Sequence, residues 1–351
     1  MRDISSSDSG GRESYRVSLE SSGKKDAIRL LVAFLLMLVI AIISIGIGKF
    51  HISLVDIRNI ILGREVDPTV RMVFFGLRLP RTIMVMIAGI GLSMAGSVYQ
   101  TIFRNPLATP DIIGVSTGAN LGAAVAIVYL AGRPNTIAIS AFVGGTIAVF
   151  AALALSRLSS NRRITDLVLA GIVVSSIAEG LIMMLKYFAD PERQLASIEY
   201  WAMGSFASIT EGKLLAVLPY FVLGIIMLFL MRWQINILSL NDDEARSLGV
   251  SVGRVRFLVI IAATLVVASI VSVTGLVAFI GLIAPHIGRM ITKRNDFYTT
   301  SFSALLGGTI LLVADTLARS ISSSEIPISI LTTFIGAPFL AYLMMRSDKD
   351  Y

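Results

Sequence analysis

Cysteine is absent from this chain of 351 residues, histidine occurs only as His51 and His286, and charged residues make up just 15%. Without thiols there are no disulfides, iron–sulfur clusters or cysteine nucleophiles. Neither imidazole has a second metal-ligating side chain at helical spacing, so no metal and no cofactor is expected in this chain. No Gly-x-x-x-x-Gly-Lys-Ser/Thr phosphate loop occurs, so ATP, if used, is bound by another chain. Gly89-Ile90-Gly91 lies inside an apolar block, not between a strand and a helix, which removes a dinucleotide loop.

The scarcity of charge excludes most. A soluble domain is about 25% charged and about 45–50% apolar, whereas 55% of this chain is apolar and its mean hydropathy is +0.80. So few ionisable groups cannot wet a globular surface of this size. The net charge of +7 comes without a basic stripe interleaved with aromatics, so nucleic acid is not an expected partner.

The apolar residues fall in blocks of the length that crosses a bilayer, roughly 20 residues. The first is Ile28–Gly48; others lie near 81–103, 113–131, 136–156, 164–188, 214–231, 257–275, 277–292, 301–319 and 327–345, the eighth being short. Backbone polar groups cannot go unpaired in hydrocarbon, so these blocks are helices. A β-barrel would need alternating segments about ten residues long, which are missing. The expected fold is all-α, a polytopic membrane bundle of about ten helices in membrane lipid. Residues 1–27 read as a polar cytoplasmic tail rather than a signal peptide, 28–346 as the membrane domain, and 347–351 as a second cytoplasmic tail.

Orientation follows from Lys and Arg in the loops. With the N-terminus inside, the cytoplasmic segments carry 17 basic residues and the outer segments 8, which puts both termini in the cytoplasm. Five of the outer eight fall in 49–80, with Arg81 just beyond. This cluster is read either as arginines snorkelling at a helix end or as a docking patch for an acidic external partner.

Gly89, Ser93 and Ser97 share one helix face and Gly114, Gly118 and Gly122 another; small residues at every fourth position let helix backbones approach closely. The inner loop 232–256 holds Leu240-Asn-Asp-Asp-Glu-Ala-Arg-Ser-Leu-Gly249. Asp242, Asp243 and Glu244 suit the positive end of a short helix and Gly249 its stop. Ala245 and Leu248, three apart, are expected on one face. This helix is read either as an interfacial anchor or as a lever for a soluble partner. Two ionisable residues fall well inside spans, which makes them functional hypotheses. Asp315 has Arg319 one turn on, whereas Glu179 has Lys186 about two turns away. Glu199-Tyr200-Trp201 stands on the outer side, where aromatics are common at the membrane interface.

Several segments together resemble the permease subunit of ABC importers for iron-siderophores, haem and cobalamin. They are Arg78-Leu-Pro-Arg81-Thr82, Gly96 through Asn105-Pro106-Leu107-Ala108 to Gly114-Val115-Ser116-Thr117-Gly118-Ala119, Tyr200-Trp201-Ala-Met-Gly204, Glu244–Gly249, Gly275 through Phe279-Ile280-Gly281-Leu282 to Pro285-His286, Ala314-Asp315 with Arg319, and Glu325-Ile326-Pro327-Ile328. The match runs in family order from about residue 29 to 345.

The resemblance implies ten helices per subunit, a second permease subunit, ABC ATPase subunits below that bind ATP and Mg, and a substrate-binding protein outside. It implies a multi-pass protein of a bacterial cell membrane that moves its cargo without chemistry. Arg78, Arg81 and Arg319 correspond to the arginines that receive the binding protein's carboxylates. The loop at about 238–256, with Asp243, Glu244, Ala245, Arg246, Leu248 and Gly249, corresponds to the ATPase coupling helix. Asn105, Leu107 and Thr165 correspond to the inner gate, where Ile164 stands at a position that can hold a small polar residue. His286 matches a structural position, not an iron ligand.

An ion-coupled secondary transporter would carry more buried carboxylates and paired broken helices. A membrane enzyme would need a polar catalytic cluster that two histidines and no cysteine do not supply. An iron-siderophore is the expected cargo, with haem or cobalamin as alternatives.

Overall fold

The computed structural model describes residues 8–48, 50, 52–159, 164–322 and 324–347. Residues 1–7 of the expected N-terminal tail and residues 348–351 of the C-terminal tail lie outside them. Among the described residues every regular element is a helix. The helices are α1 (Asp8–Gly46), α2 (Leu54–Ile61), α3 (Pro68–Val73), α4 (Leu79–Ile102), α5 (Val115–Tyr129), α6 (Pro134–Arg157), α7 (Ile164–Phe188) and α8 (Ala196–Ala202). They continue with α9 (Glu211–Leu230), α10 (Arg232–Ile237), α11 (Asp242–Ser247), α12 (Val252–Thr274), α13 (Ile280–Thr292), α14 (Phe297–Ala318) and α15 (Ile328–Ser347).

Each of the ten expected spans falls on a helix. Seven helical stretches are long and apolar enough to cross a membrane; α5, α13 and the apolar part of α15, Ile328–Leu343, are shorter. The helical part of the polar N-terminal segment runs straight into the first span. The second span begins earlier than hydropathy indicates. Pro68 opens α3 behind the N-cap Asp67, and a π turn over Phe74–Arg78 carries it into α4. Pro80, which has no N–H to return to Gly76 and whose ring crowds that carbonyl, sits directly after the widened turn.

The eighth span begins later, at Ile280, because Gly275–Phe279 is not helical. Gly275 has φ +70° and Phe279 φ +64°, a left-handed backbone that an aromatic residue rarely adopts. Neighbouring loops satisfy this stretch. Ser205 N–H donates to the Thr274 carbonyl at 2.7 Å and Ser329 Oγ donates to the Leu276 carbonyl at 2.8 Å. Beside them, Ile328 N–H donates to the Gly204 carbonyl at 3.0 Å. Irregular backbone at membrane depth persists only when so satisfied.

Helix α4 is the centre of the bundle. It is buried almost all round from Pro80 to Ile102 and packs against α14, α13 and α12. A methyl group at Gly96 would strike the carbonyl of Gly281 in α13. On the same face Ser97 Oγ is 2.8 Å from Thr300 Oγ1 of α14 and Ser93 Oγ donates to the Ile280 carbonyl. The first expected small-residue face is therefore a packing face. The second divides: Gly118 and Gly122 meet α6, whereas Gly114 is the left-handed cap of α5 beside Ser175 of α7.

Lipid offers helices no hydrophobic reason to associate, so these contacts act by close packing. Gly96→Leu is expected to drive α4 and α13 apart and cost more than the ~1–3 kcal/mol of ordinary overpacking, read as a lower melting temperature in detergent. Gly212→Ala, in the open first turn of α9, should leave that temperature unchanged or raise it.

Candidate functional site

The structure brings Arg78, Arg81 and Arg319 together at one end of the bundle, but not as three free cations. Arg81, at the start of α4, donates through Nε and Nη2 to Asp315 of α14, the shortest contact being 2.8 Å. Its Nη1 reaches both oxygens of Glu325 at 2.9 Å. Arg319, only 4% exposed, donates Nη1 to the Ile47 carbonyl at 2.7 Å and Nη2 to the backbone and hydroxyl of Ser44. Its Nε lies 3.4 Å from Asp315 Oδ2. The neighbour of Asp315 one helical turn on is thus its weaker partner.

Arg78 differs. It donates Nη1 and Nη2 to the Ile47 and Phe50 carbonyls at 2.8 and 3.2 Å, and no carboxylate among the described residues is within ion-pair distance. These carbonyls lie just past the end of α1.

At the other end of the bundle lies α11. Asn241 and Glu244 form a capping box, and Glu244 accepts the Asn241 N–H at 3.2 Å. The helix stops in a Schellman turn. Val250 N–H donates to Ala245 and Gly249 N–H to Arg246, with Gly249 at φ +80°. Asp243 is exposed and pairs with Arg246 at 3.2 Å. The expected common face of Ala245 and Leu248 is corrected here: Ala245 is fully buried, while Leu248 is 55% exposed. The helix has ended at Ser247, so the spacing of three no longer brings the two side chains together.

One contact was not legible in the sequence. Asp242, the first residue of α11, takes Arg104 Nη2 at 2.5 Å and Arg256 Nη2 of α12 at 3.0 Å. Arg104 stands in the turn that ends α4, at φ +49°, where glycine is usual. Its guanidinium also reaches the Leu238 carbonyl and Asn241 Oδ1 at 3.4 Å. Partial burial alone would raise the Asp242 carboxyl, but Arg256 and Arg104 outweigh it and hold the group below the ordinary carboxylate range.

Asn105 follows Arg104 directly, and its Oδ1 accepts Leu107 N–H at 2.9 Å. Asn105, Ile164 and Thr165 line one cavity of about 470 Å³, and Leu107 projects beside it, 60% exposed. Glu179 is exposed on α7 and Lys186 bonds Glu199 instead, at 2.7 Å. Tyr200 and Trp201 line an outer hollow of about 640 Å³ that Lys213 also borders.

The FecCD transport family matches residues 35–346. This chain belongs to that family. It is 38% identical to the molybdate import system permease MolB of Haemophilus influenzae, over 90% of this chain and 94% of MolB. It is 36% identical to the Fe(3+)-citrate import permease YfmE of Bacillus subtilis, over 92% and 96%. The hemin transport permease HmuU of Yersinia pestis is 31% identical over 92% and 97%. A solved inward-facing, metal-chelate-type ABC transporter superposes with a TM-score of 0.81 at 37% identity, covering 90% of this chain and 98% of its own. The chain is therefore a polytopic, all-helical ABC importer permease.

Asp315→Ala would take one of its two carboxylates from Arg81 and the only one among the described residues from the buried Arg319, a loss of up to about 3–5 kcal/mol expected to appear as a lower yield of folded protein and a lower melting temperature. A depressed carboxyl stabilises above its unfolded pKa and is lost as pH falls through the folded value. Protection factors over 238–250, taken against the intrinsic exchange rate at each pH, should therefore hold from neutral pH down to about 4 and fall below it. Asp242→Asn should remove that acid transition.

Proposed function

We propose that this permease carries a ferric chelate inward across the cytoplasmic membrane of a bacterium. It would work with a second permease subunit, ABC ATPases that bind ATP and Mg, and an external substrate-binding protein. Supporting the cargo are relatives named for iron chelates, Fe(3+)-citrate, hemin and Fe(3+)-hydroxamate. Molybdate is the second reading, because MolB is 38% identical over nearly the whole chain.

Coupling rests on one observation: Arg104 grips the first residue of α11 and immediately precedes Asn105. In the proposed mechanism the ATPase receives α11 through the exposed Asp243, Arg246 and Leu248, while Glu244, Ala245 and Gly249 fix its shape. Closure of the ATPases shifts α11 as a rigid element. Arg104 passes that shift to Asn105 and Leu107, across from Thr165.

Outside, the binding protein presents carboxylates to the arginine cluster. A planar guanidinium fork can hold one bidentately, and Arg78 is the member without a carboxylate of its own. Glu179 supports a pathway along α7 at the interface of two permeases, because a charge in mid-span faces a wet cavity rather than lipid.

Arg104→Gln should leave ATPase copurification intact, since Asp242 keeps Arg256, while transport per ATP falls on the order of tenfold in proteoliposomes. Unchanged coupling would remove the bridge from the mechanism. Side-by-side uptake of radioactive ferric chelate and molybdate decides the cargo. Arg78→Glu should weaken capture of the binding protein well beyond Arg78→Met, which loses the same bonds to the Ile47 and Phe50 carbonyls.

A further inference from the structure

The ends of α6, α7 and α12 that carry Arg157, Ile164 and Arg254 enclose a cavity of about 670 Å³. Three guanidiniums line it, those of Arg157, Arg254 and Arg256, and no carboxylate does among the described residues. Arg157 lies over the Phe257 ring with its guanidinium carbon 5.0 Å from the centroid, and it has no hydrogen-bond acceptor among the described residues. Arg254 is exposed. Arg256 is only 9% exposed; its Nη2 is spent on Asp242, but its Nε is buried with no hydrogen-bond partner.

Two guanidiniums with no acceptor among the described residues, beside a third that has one, leave the positive charge lining this cavity without a counter-charge. Apart from Ser156 the remaining wall is apolar, including Leu153 and Leu167. Close by on α6 and α12, Leu155 and Leu258 are exposed at the helix surface.

From this combination we infer that the cavity is a binding site for an anionic membrane phospholipid. The phosphate diester lies among Arg157, Arg254 and Arg256, and the acyl chains run along α6 and α12. Phosphate oxygens accept from guanidinium forks in short, charge-assisted bonds, and basic pockets between transmembrane helices on the cytoplasmic side suit such headgroups. Cytoplasmic placement rests on the loop-charge orientation and not on the nature of the cargo. Arg256 lines the site and holds α11 with Nη2, so lipid and coupling loop share one side chain.

The test is native mass spectrometry of the detergent-purified permease–ATPase complex, offered phosphatidylglycerol or phosphatidylcholine with the same acyl chains. The wild type is expected to retain phosphatidylglycerol preferentially. Arg157→Gln with Arg254→Gln should lower that preference by roughly tenfold or more, and the Arg→Lys pair should recover part of it. Equal retention of the two lipids by the wild type overturns the assignment without need of any variant. An unchanged preference in a monodisperse Gln variant also overturns it. Displacement of phosphatidylglycerol by millimolar inorganic phosphate would mean that a free anion is the ligand. A preference seen only after the ATPase is stripped away would make the cavity part of the ATPase contact. Either result ends the lipid reading, and none of these outcomes bears on uptake, which is measured separately.

Discussion

The architecture depends on how closely α4 can be approached. Its glycine and serine face lets the backbones of α13 and α14 come within van der Waals reach, which lipid-embedded helices need because they gain nothing from excluding water. A helix held this tightly behaves as a rod, and its two ends carry the two sites of interest. Arg81 stands in its first turn, and Arg104 stands in the turn that ends it. The arginine cluster at one end and α11 at the other are thus fastened to one rigid element.

The outer face shows a second economy. Three stretches far apart in sequence, around Gly204, Gly275–Phe279 and Pro327–Ser329, complete one another's backbone hydrogen bonds. Each alone would be an irregular loop with unmet polar groups. Together they make an ordered layer that ties α8, α12, α13 and α15, and the glycines there take the left-handed angles that permit the turns.

Much of this was legible in the sequence, for a physical reason. Block length reports a membrane span because hydrocarbon thickness sets it, and capping residues report the ends of α11 because they act within four positions. What escaped was long-range or conformational. The preference of Asp315 for Arg81 spans 234 positions, whereas Arg319 is one turn away and more visible. The left-handed Arg104 looked like one more cytoplasmic charge. Leu248 was assigned to a helix face because its spacing fitted, although the helix stops one residue before it. Hydropathy puts the start of α13 too early because Val277–Phe279 is apolar, and composition does not record that the Thr274 and Leu276 carbonyls beside it are used by other loops.

Arg81 enters the folded state with its fork already filled. A carboxylate arriving from outside could reach that guanidinium only by displacing Glu325, a side chain 28% exposed to solvent. Such contact is a substitution, one anion leaving as another takes its place, so the charge on the arginine stays matched throughout. The net gain from the swap is small by construction, and the reverse swap is equally open. A surface built this way suits exchange of carboxylates more than tight retention of one.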